Sequence, residues 1–200
     1  MWQLGSALDN EARLAEEWRT AVPFPHLVLD DFVRSEALPE LLAILEEEPV
    51  DSYEGEIFAF EASAPEPRTG GLRRLRESFV EAVAAPISRI TAKALRRADM
   101  RAYAYRVGHF LLPHSDHQEG VGRALAFAYY LPSPEPPEGG ELELYTCRLE
   151  GGEVVSTETA RLIEPRPNRL VVFDVSDVSL HQVREVLGGL RVSLSGWLYP

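Results

Sequence analysis

From residue 100 onward the chain is written in short β-branched and aromatic segments: MRAYAYRVGHFLL, RALAFAYYLP, GELELYTC, EVVSTETARLIE, RLVVFDV, LHQVREV and LRVSLSGWLY. Clusters of Pro, Gly and Asn separate them. Several strands at this spacing predict a mostly antiparallel sandwich or barrel. That half of the chain therefore constrains the fold more than any other feature.

The first half reads differently. Residues 7–20 (ALDNEARLAEEWRT) read as a helix, and FPHLVLDDFV, 24–33, as a short apolar strand ending in an acidic pair. In SEALPELLAILEEE, 35–48, Leu38, Leu41, Leu42 and Leu45 fall at i, i+3, i+4 and i+7, one apolar helical stripe, with Ser35 placed to cap it. Residues 51–70, with Pro65, Pro67 and Gly70, read as irregular. Residues 72–97 read as helical, with Leu72, Leu75, Phe79 and Val83 on one face. Pro86 inside that run predicts a break or kink, with Pro86 in the first turn of a second helix. No internal repeat is visible. The plan is α+β: one domain over 1–200, in which 1–99 give helical support and a first strand and 100–200 give the β core.

Composition narrows the function. A net charge of −12 argues against a basic nucleic-acid-binding surface. No apolar run approaches the ~20 residues of a membrane span, and the charged N-terminus lacks the apolar stretch of a signal peptide. The single cysteine, Cys147, excludes an internal disulfide and a cysteine metal cluster. A cytoplasmic protein with no membrane and no nucleic-acid partner is the expectation.

One loop does not fit a purely structural role. LLPHSDHQEG, 111–120, packs His114, Asp116 and His117 into four residues. In extended chain, residues i and i+2 share a face, so His114 and Asp116 can address one ion while Ser115 points away. A third ligand must come from elsewhere, and His181 lies in a strand-like segment 65 residues on (181 − 116). Two histidines and a carboxylate form the facial triad of non-haem Fe(II) oxygenases, which leaves positions open for an α-keto acid and O2; zinc or manganese could use the same donors. Arg191 follows His181 by ten residues (191 − 181), with Ser193 after it in R-x-S. A guanidinium fork grips a carboxylate through two bonds, and an arginine inside a β core needs such an anion. The plainer alternatives are a solvated turn at 114–120, a core histidine at 181 and a surface arginine at 191.

In this order the motifs resemble the Fe(II)/2-oxoglutarate-dependent dioxygenases, and among them the prolyl 4-hydroxylase-like group. YRVGHFLLPHSD (105–116) resembles the segment leading to that group's first two ligands. RALAFAYYLP, GGELELY (139–145), EPRPNRLVVFD (164–174) and HQVREVLGGLRVSLSGWLY (181–199) resemble the segments that follow, and FPHLVLDDFV resembles the group's early strand. The resemblance covers roughly half the chain. It implies a double-stranded β-helix (jelly-roll) core with supporting N-terminal helices. It further implies Fe(II) held by His114, Asp116 and His181, and 2-oxoglutarate held by Arg191, Ser193 and Tyr105. The activity implied is O2-dependent hydroxylation of a peptide or free amino-acid side chain, with release of succinate and CO2. Two features depart from the group's pattern: arginine stands at 191 where lysine is usual, and Leu111 and Leu112 stand where an aromatic often precedes the first ligand. The rival readings are a cupin-like metal isomerase or binding protein, and a jelly roll with no ion. The stretch 51–70 and the loop SPEPPEGG, 133–140, are candidates for the pocket entrance.

The last expectation is geometric. VREVLGGLRV looks like a hairpin turning at Gly188-Gly189. With a two-residue turn, His181 and Arg191 would face opposite ways. An odd-length loop or a β-bulge within 182–190 is therefore expected. Arg191, Ser193, Ser195 and Trp197 should form the pocket face, and Val192, Leu194 and Leu198 the face under the helices.

Overall fold

The segment LAFAYYL, 125–131, is buried at every position. A strand buried on both faces needs cover on both, and the rest of the fold supplies it, with helices on one side and a second layer of strands on the other. A computed structural model describes residues 1–200. In chain order the elements are α1 (Glu11–Thr20), β1 (His26–Leu29), α2 (Leu38–Glu47), β2 (Val50–Gly55), β3 (Phe58–Ser63), α3 (Gly70–Thr91), β4 (Arg97–Tyr105), β5 (Phe110–His114), β6 (Leu125–Leu131), β7 (Glu138–Gly139), β8 (Leu142–Glu150), β9 (Glu153–Ile163), β10 (Arg169–Asp174), β11 (His181–Val183), β12 (Val186–Gly188) and β13 (Arg191–Tyr199).

The strands run in the order β1-β10-β6-β13-β4-β3-β5-β11-β8-β9, with β2 attached to β3 and a separate β12-β7 ribbon. Strand β3 is where the sheet folds over. Its Glu61 and Ala62 pair with β4, while its Phe58 and Ala59 pair with β5. The layer from β1 to β4 and the layer β5-β11-β8-β9 thus face each other as a double-stranded β-helix. Along β6 the alternation sorts the side chains. Leu125, Phe127 and Tyr129 pack with Leu72, Leu75 and Phe79 of α3. Ala126, Ala128 and Tyr130 face inward to Leu142 and Leu144 of β8. The Phe79 and Phe127 rings sit 4.7 Å apart. No helix is long and apolar enough to cross a membrane.

Five local expectations are corrected. The first helix begins at Glu11, because Asn10 caps it by accepting from the Arg13 amide at 3.1 Å. Ser35 caps nothing. It opens a 3-10 turn, Ser35–Ala37, and α2 follows with Pro39 in its first turn. Residues 51–70 are not irregular throughout, since β2 and β3 form a hairpin there. Its charged residues have poor intrinsic strand preference, and it is stabilised by pairing with β4 and β5. Helix α3 runs through Pro86 as one element. The buried stripe continues past it at Ile87 and Ile90, and that burial outweighs the ~3 kcal/mol a mid-helix proline costs. Finally, 181–199 is not a hairpin. β11 pairs with β5 and β8, whereas β13 pairs with β4 and β6. The chain between them crosses from one layer to the other, with β12 pairing β7 on the way.

That crossing settles the orientation problem. His181 and Arg191 reach the interior from opposite layers, so no shared strand parity relates them. Register irregularities do occur within the span, between His181 and Val183 and between Val186 and Gly188. On β13 the faces divide as expected, with Leu194 and Leu198 in the cluster under the helices and Val192 packed against it.

Asn168 ties the first strand's exit to this core. Its φ is +63°. Its Oδ1 accepts from the Val33 amide (3.0 Å) and the Tyr129 hydroxyl (2.9 Å), and its Nδ2 donates to the Val33 carbonyl (2.8 Å). Asn168→Ala removes all three bonds, strands buried partners and replaces a residue that tolerates the left-handed region with one that tolerates it less. We expect a loss of about 3 kcal/mol, read as a lower denaturant midpoint at unchanged slope.

Candidate active site

Strands β5 and β11 place His114 and His181 directly opposite each other. Their ring centroids are 4.3 Å apart. Asp116 lies two residues beyond His114, where β5 has ended, and its carboxylate turns back to the pair. Its Oδ1 is 3.9 Å from His114 Nε2 and its Oδ2 is 3.5 Å from His181 Nε2. One donor atom from each residue lies within 4.8 Å of the other two. An ion with bonds of ~2.0–2.2 Å holds its donors no more than about 4.4 Å apart, so small side-chain rotations suffice to bring the three onto one ion. Ser115 points away, as the alternation requires, and its hydroxyl donates to the Ser176 carbonyl at 2.7 Å. His117 is outside the cluster and meets Asp177 at 3.4 Å on the surface.

The imidazoles are oriented from behind. His114 Nδ1 lies 2.9 Å from the Leu112 carbonyl, and His181 Nδ1 lies 3.0 Å from the Ser179 carbonyl. A carbonyl only accepts, so each Nδ1 carries a proton and each ring turns its Nε2 edge toward Asp116. Burial drives the His181 pKa from 6.5 down to about 4; His114 adds to the fall, and Asp116 and the Ser179 carbonyl oppose it. At neutral pH the His181 ring is uncharged, with its Nε2 lone pair free to bind a metal. The folded-state pKa lies below the unfolded one, so between pH 6.5 and about 4 the unfolded chain binds more protons. The metal-free protein should therefore lose stability as pH falls through that window, and His181→Phe should flatten the dependence. Urea midpoints measured at intervals from pH 7 to 4 test this.

Arg191 begins β13 and is 3% exposed. It stands opposite Tyr105 of β4. Its guanidinium lies over the rings of Tyr105 (4.8 Å) and Tyr130 (4.9 Å). Long contacts join Nη1 to Ser193 Oγ (3.4 Å) and Nη2 to the Tyr130 hydroxyl (3.5 Å), and Nε has no partner. This buried cation makes no ion pair, which is costly in the absence of an anion. Burial pushes the Tyr105 hydroxyl well above the usual phenol range, so it stays a neutral donor. Gly140 makes room for Arg191. It has φ +70°, and a β-carbon there would come within 3.0 Å of Arg191 Cδ and 2.9 Å of Val186. The loop 133–140 thus packs against Arg191 rather than over the triad.

His114, Asp116, His181, Tyr105 and Arg191 all line one cavity of about 340 Å³, walled by Phe58, Phe60, Leu111, Phe173 and Trp197. Ser193 is fully buried beside Arg191. Larger open grooves, of about 540 and 450 Å³, flank the Pro-rich loop 132–137, and neither is lined by His114, Asp116 or His181. Several residues of the site were missed in the sequence. Tyr130 contacts Arg191. Arg123 stacks 3.7 Å over Trp197 and donates to the Asp116 carbonyl at 3.0 Å. Arg101 lines the cavity from β4. For Arg101 and Tyr130 a signal existed: each lies on the inward parity of a strand, with Tyr105 and Ala128 respectively.

Comparison with known proteins agrees with this geometry. At 35% identity over 191 residues, the chain is similar to prolyl 3-hydroxylase OGFOD1 of Xenopus laevis, covering 90% of this chain and 35% of that protein. The chain therefore spans about a third of the length of the curated relative. Two solved structures share the fold. A Pseudomonas putida prolyl-4-hydroxylase has TM-score 0.67 at 20% identity, covering 94% of this chain and 98% of its own. A Trichoplax adhaerens prolyl hydroxylase in complex with a hypoxia inducible factor peptide fragment has TM-score 0.70 at 17% identity, covering 97% and 90%. Residues 100–199, half of the chain and the β core from within β4 onward, match the family described as the 2OG-Fe(II) oxygenase superfamily, and this chain belongs to it.

Proposed function

We propose that this chain is a hydroxylase that binds Fe(II) through His114, Asp116 and His181, binds 2-oxoglutarate through Arg191, and oxidises a peptide or free amino-acid side chain. The observation that carries the reading is Arg191, a buried cation without an anion in the same cavity as the triad. The donor set fits an iron ion: two imidazole nitrogens and one carboxylate oxygen, each histidine held from its far nitrogen. When bound together, iron, 2-oxoglutarate and O2 supply the oxidant that inserts oxygen into a C–H bond, with succinate and CO2 released.

The chain's own residues divide the remaining work. Arg191 fixes the far carboxylate of 2-oxoglutarate with its fork, while Ser193, Tyr105 and Tyr130 offer hydroxyls around it. Asp116 neutralises one positive charge of the metal. Phe58, Phe60, Phe173 and Trp197 exclude water and leave an apolar space for the substrate side chain. We take residues 1–200 as one catalytic unit, with α1–α3 stiffening the outer face. The prolyl hydroxylase relatives favour a peptide among substrates. A cupin-like isomerase would leave Arg191 and Ser193 without a role.

The test is anaerobic. Addition of Fe(II) and then 2-oxoglutarate should give the visible charge-transfer band of the chelate, and admission of O2 with a panel of amino acids and peptides should give succinate and a substrate gain of one oxygen atom. The absence of both the band and succinate would overturn the reading.

A further inference from the structure

Arg101 is a second unpaired guanidinium in the cavity. Its Nε donates to the Ser63 carbonyl at 2.6 Å, its Nη2 is buried without any hydrogen-bond partner, and it forms no ion pair. The rings of Tyr53 and Tyr103 flank it at 4.9 and 5.4 Å. Ser195 of β13 stands opposite it, four residues beyond the pairing of Arg191 with Tyr105. At ~3.3 Å per residue the two pairings lie about 13 Å apart along the strands. Arg101 and Arg191 therefore stem from opposite ends of one inward stripe.

The charges of the proposed site leave Arg101 over. Asp116 and one carboxylate of 2-oxoglutarate match the two charges of the iron, and Arg191 matches the other carboxylate. Arg123, the remaining nearby cation, stacks on the Trp197 ring and donates to the Asp116 carbonyl through Nη1, while its Nε is buried without a partner. A guanidinium with a buried, unbonded N–H is stabilised by an anionic oxygen more than by any neutral group. The wall beside it is aromatic, with Phe60 in contact with both Tyr53 and Tyr103.

We infer that Arg101 is a specificity-determining residue that binds a carboxylate of the substrate, next to the apolar side chain that is oxidised. The inference rests on the proposed function and names its substrate class, an oxyanion-bearing peptide or amino acid. The carboxylate has two sources, an acidic residue beside the target in a peptide or the α-carboxylate of a free amino acid. Tyr53, Phe58 and Phe60 of the β2–β3 hairpin then form the apolar side of the substrate channel.

The experiment uses the anaerobic Fe(II) and 2-oxoglutarate complex, so that binding is measured without turnover. Calorimetry compares matched probes that differ only in a carboxylate: capped Ala-Pro-Glu against Ala-Pro-Gln, capped Glu-Pro-Ala against Gln-Pro-Ala, and L-proline against L-prolinamide. At least one carboxylate probe should bind tenfold or more tightly than its amide. That preference should vanish in Arg101→Gln and Arg101→Met and persist in part in Arg101→Lys. The pair that shows it identifies the source. Affinity for 2-oxoglutarate, measured first on each variant, should stay within about twofold of the unchanged protein; its absence in the unchanged protein would count against the proposed function instead. If no carboxylate probe binds, if none is preferred to its amide, or if the preference survives Arg101→Met, the assignment of Arg101 is overturned.

Discussion

Replacing Asp116 with alanine should abolish Fe(II) binding at micromolar metal while leaving a folded protein of nearly equal stability. The carboxylate is buried, and its neighbours His114 and His181 meet it at 3.9 and 3.5 Å. With His181 neutral at pH 7, that ring makes no ion pair with the carboxylate in the metal-free protein. A buried carboxylate without such a pair contributes little to stability, so its removal should cost the apoprotein little. Metal binding behaves oppositely. Loss of an outer partner of a ligand costs 10- to 100-fold in affinity, and loss of a ligand itself should exceed about 100-fold. Anaerobic Fe(II) titration and urea unfolding on the same preparation separate the two effects. Retention of tight iron binding in Asp116→Ala would remove the carboxylate from the metal site.

Arg191→Met should weaken 2-oxoglutarate by about 100-fold or more with Fe(II) affinity unchanged. Methionine keeps the unbranched stem, which fits beside Gly140 and Val186, and removes the fork. Deleting one partner of a buried, hydrogen-bonded charge pair typically costs 2–5 kcal/mol, at ~1.4 kcal/mol per factor of ten. Arg191→Lys should fall between, because an ammonium supplies the charge without the two-pronged geometry. Arg191 also lacks an ion pair in the ligand-free protein, so neither variant should lower the denaturant midpoint greatly. An unchanged 2-oxoglutarate requirement in Arg191→Met would detach the arginine from cosubstrate binding.

The β core and the order of the motifs were legible because strand alternation is a local property. Side chains at i and i+2 share a face whatever the strand pairs with, so HSD at 114–116 and R-x-S at 191–193 announce two inward faces from the sequence alone. The same alternation divides Leu194 and Leu198 from Arg191 and Ser193, as found. Pairing is not local, and there the reading failed. VREVLGGLRV has every feature of a hairpin, yet Gly189 bends the chain from one layer to the other, against the backbone of Glu135 and Pro136. The β2–β3 hairpin, rich in glutamate, becomes strand only because β4 and β5 offer it open edges. Pro86 stays within a helix because a long buried stripe continues on both sides of it. Arg101 and Tyr130 lie on legible inward parities, but their meeting with the rest of the site, and the room that Gly140 leaves for Arg191, come from strand pairing that no periodicity encodes. The sequence by itself thus determined which residue types could do the chemistry and which face of each strand bears them. Only the tertiary structure decided that those faces meet, because the meeting depends on which edges pair and where the sheet folds over at β3, and both are set by packing across the whole chain rather than by any segment of it.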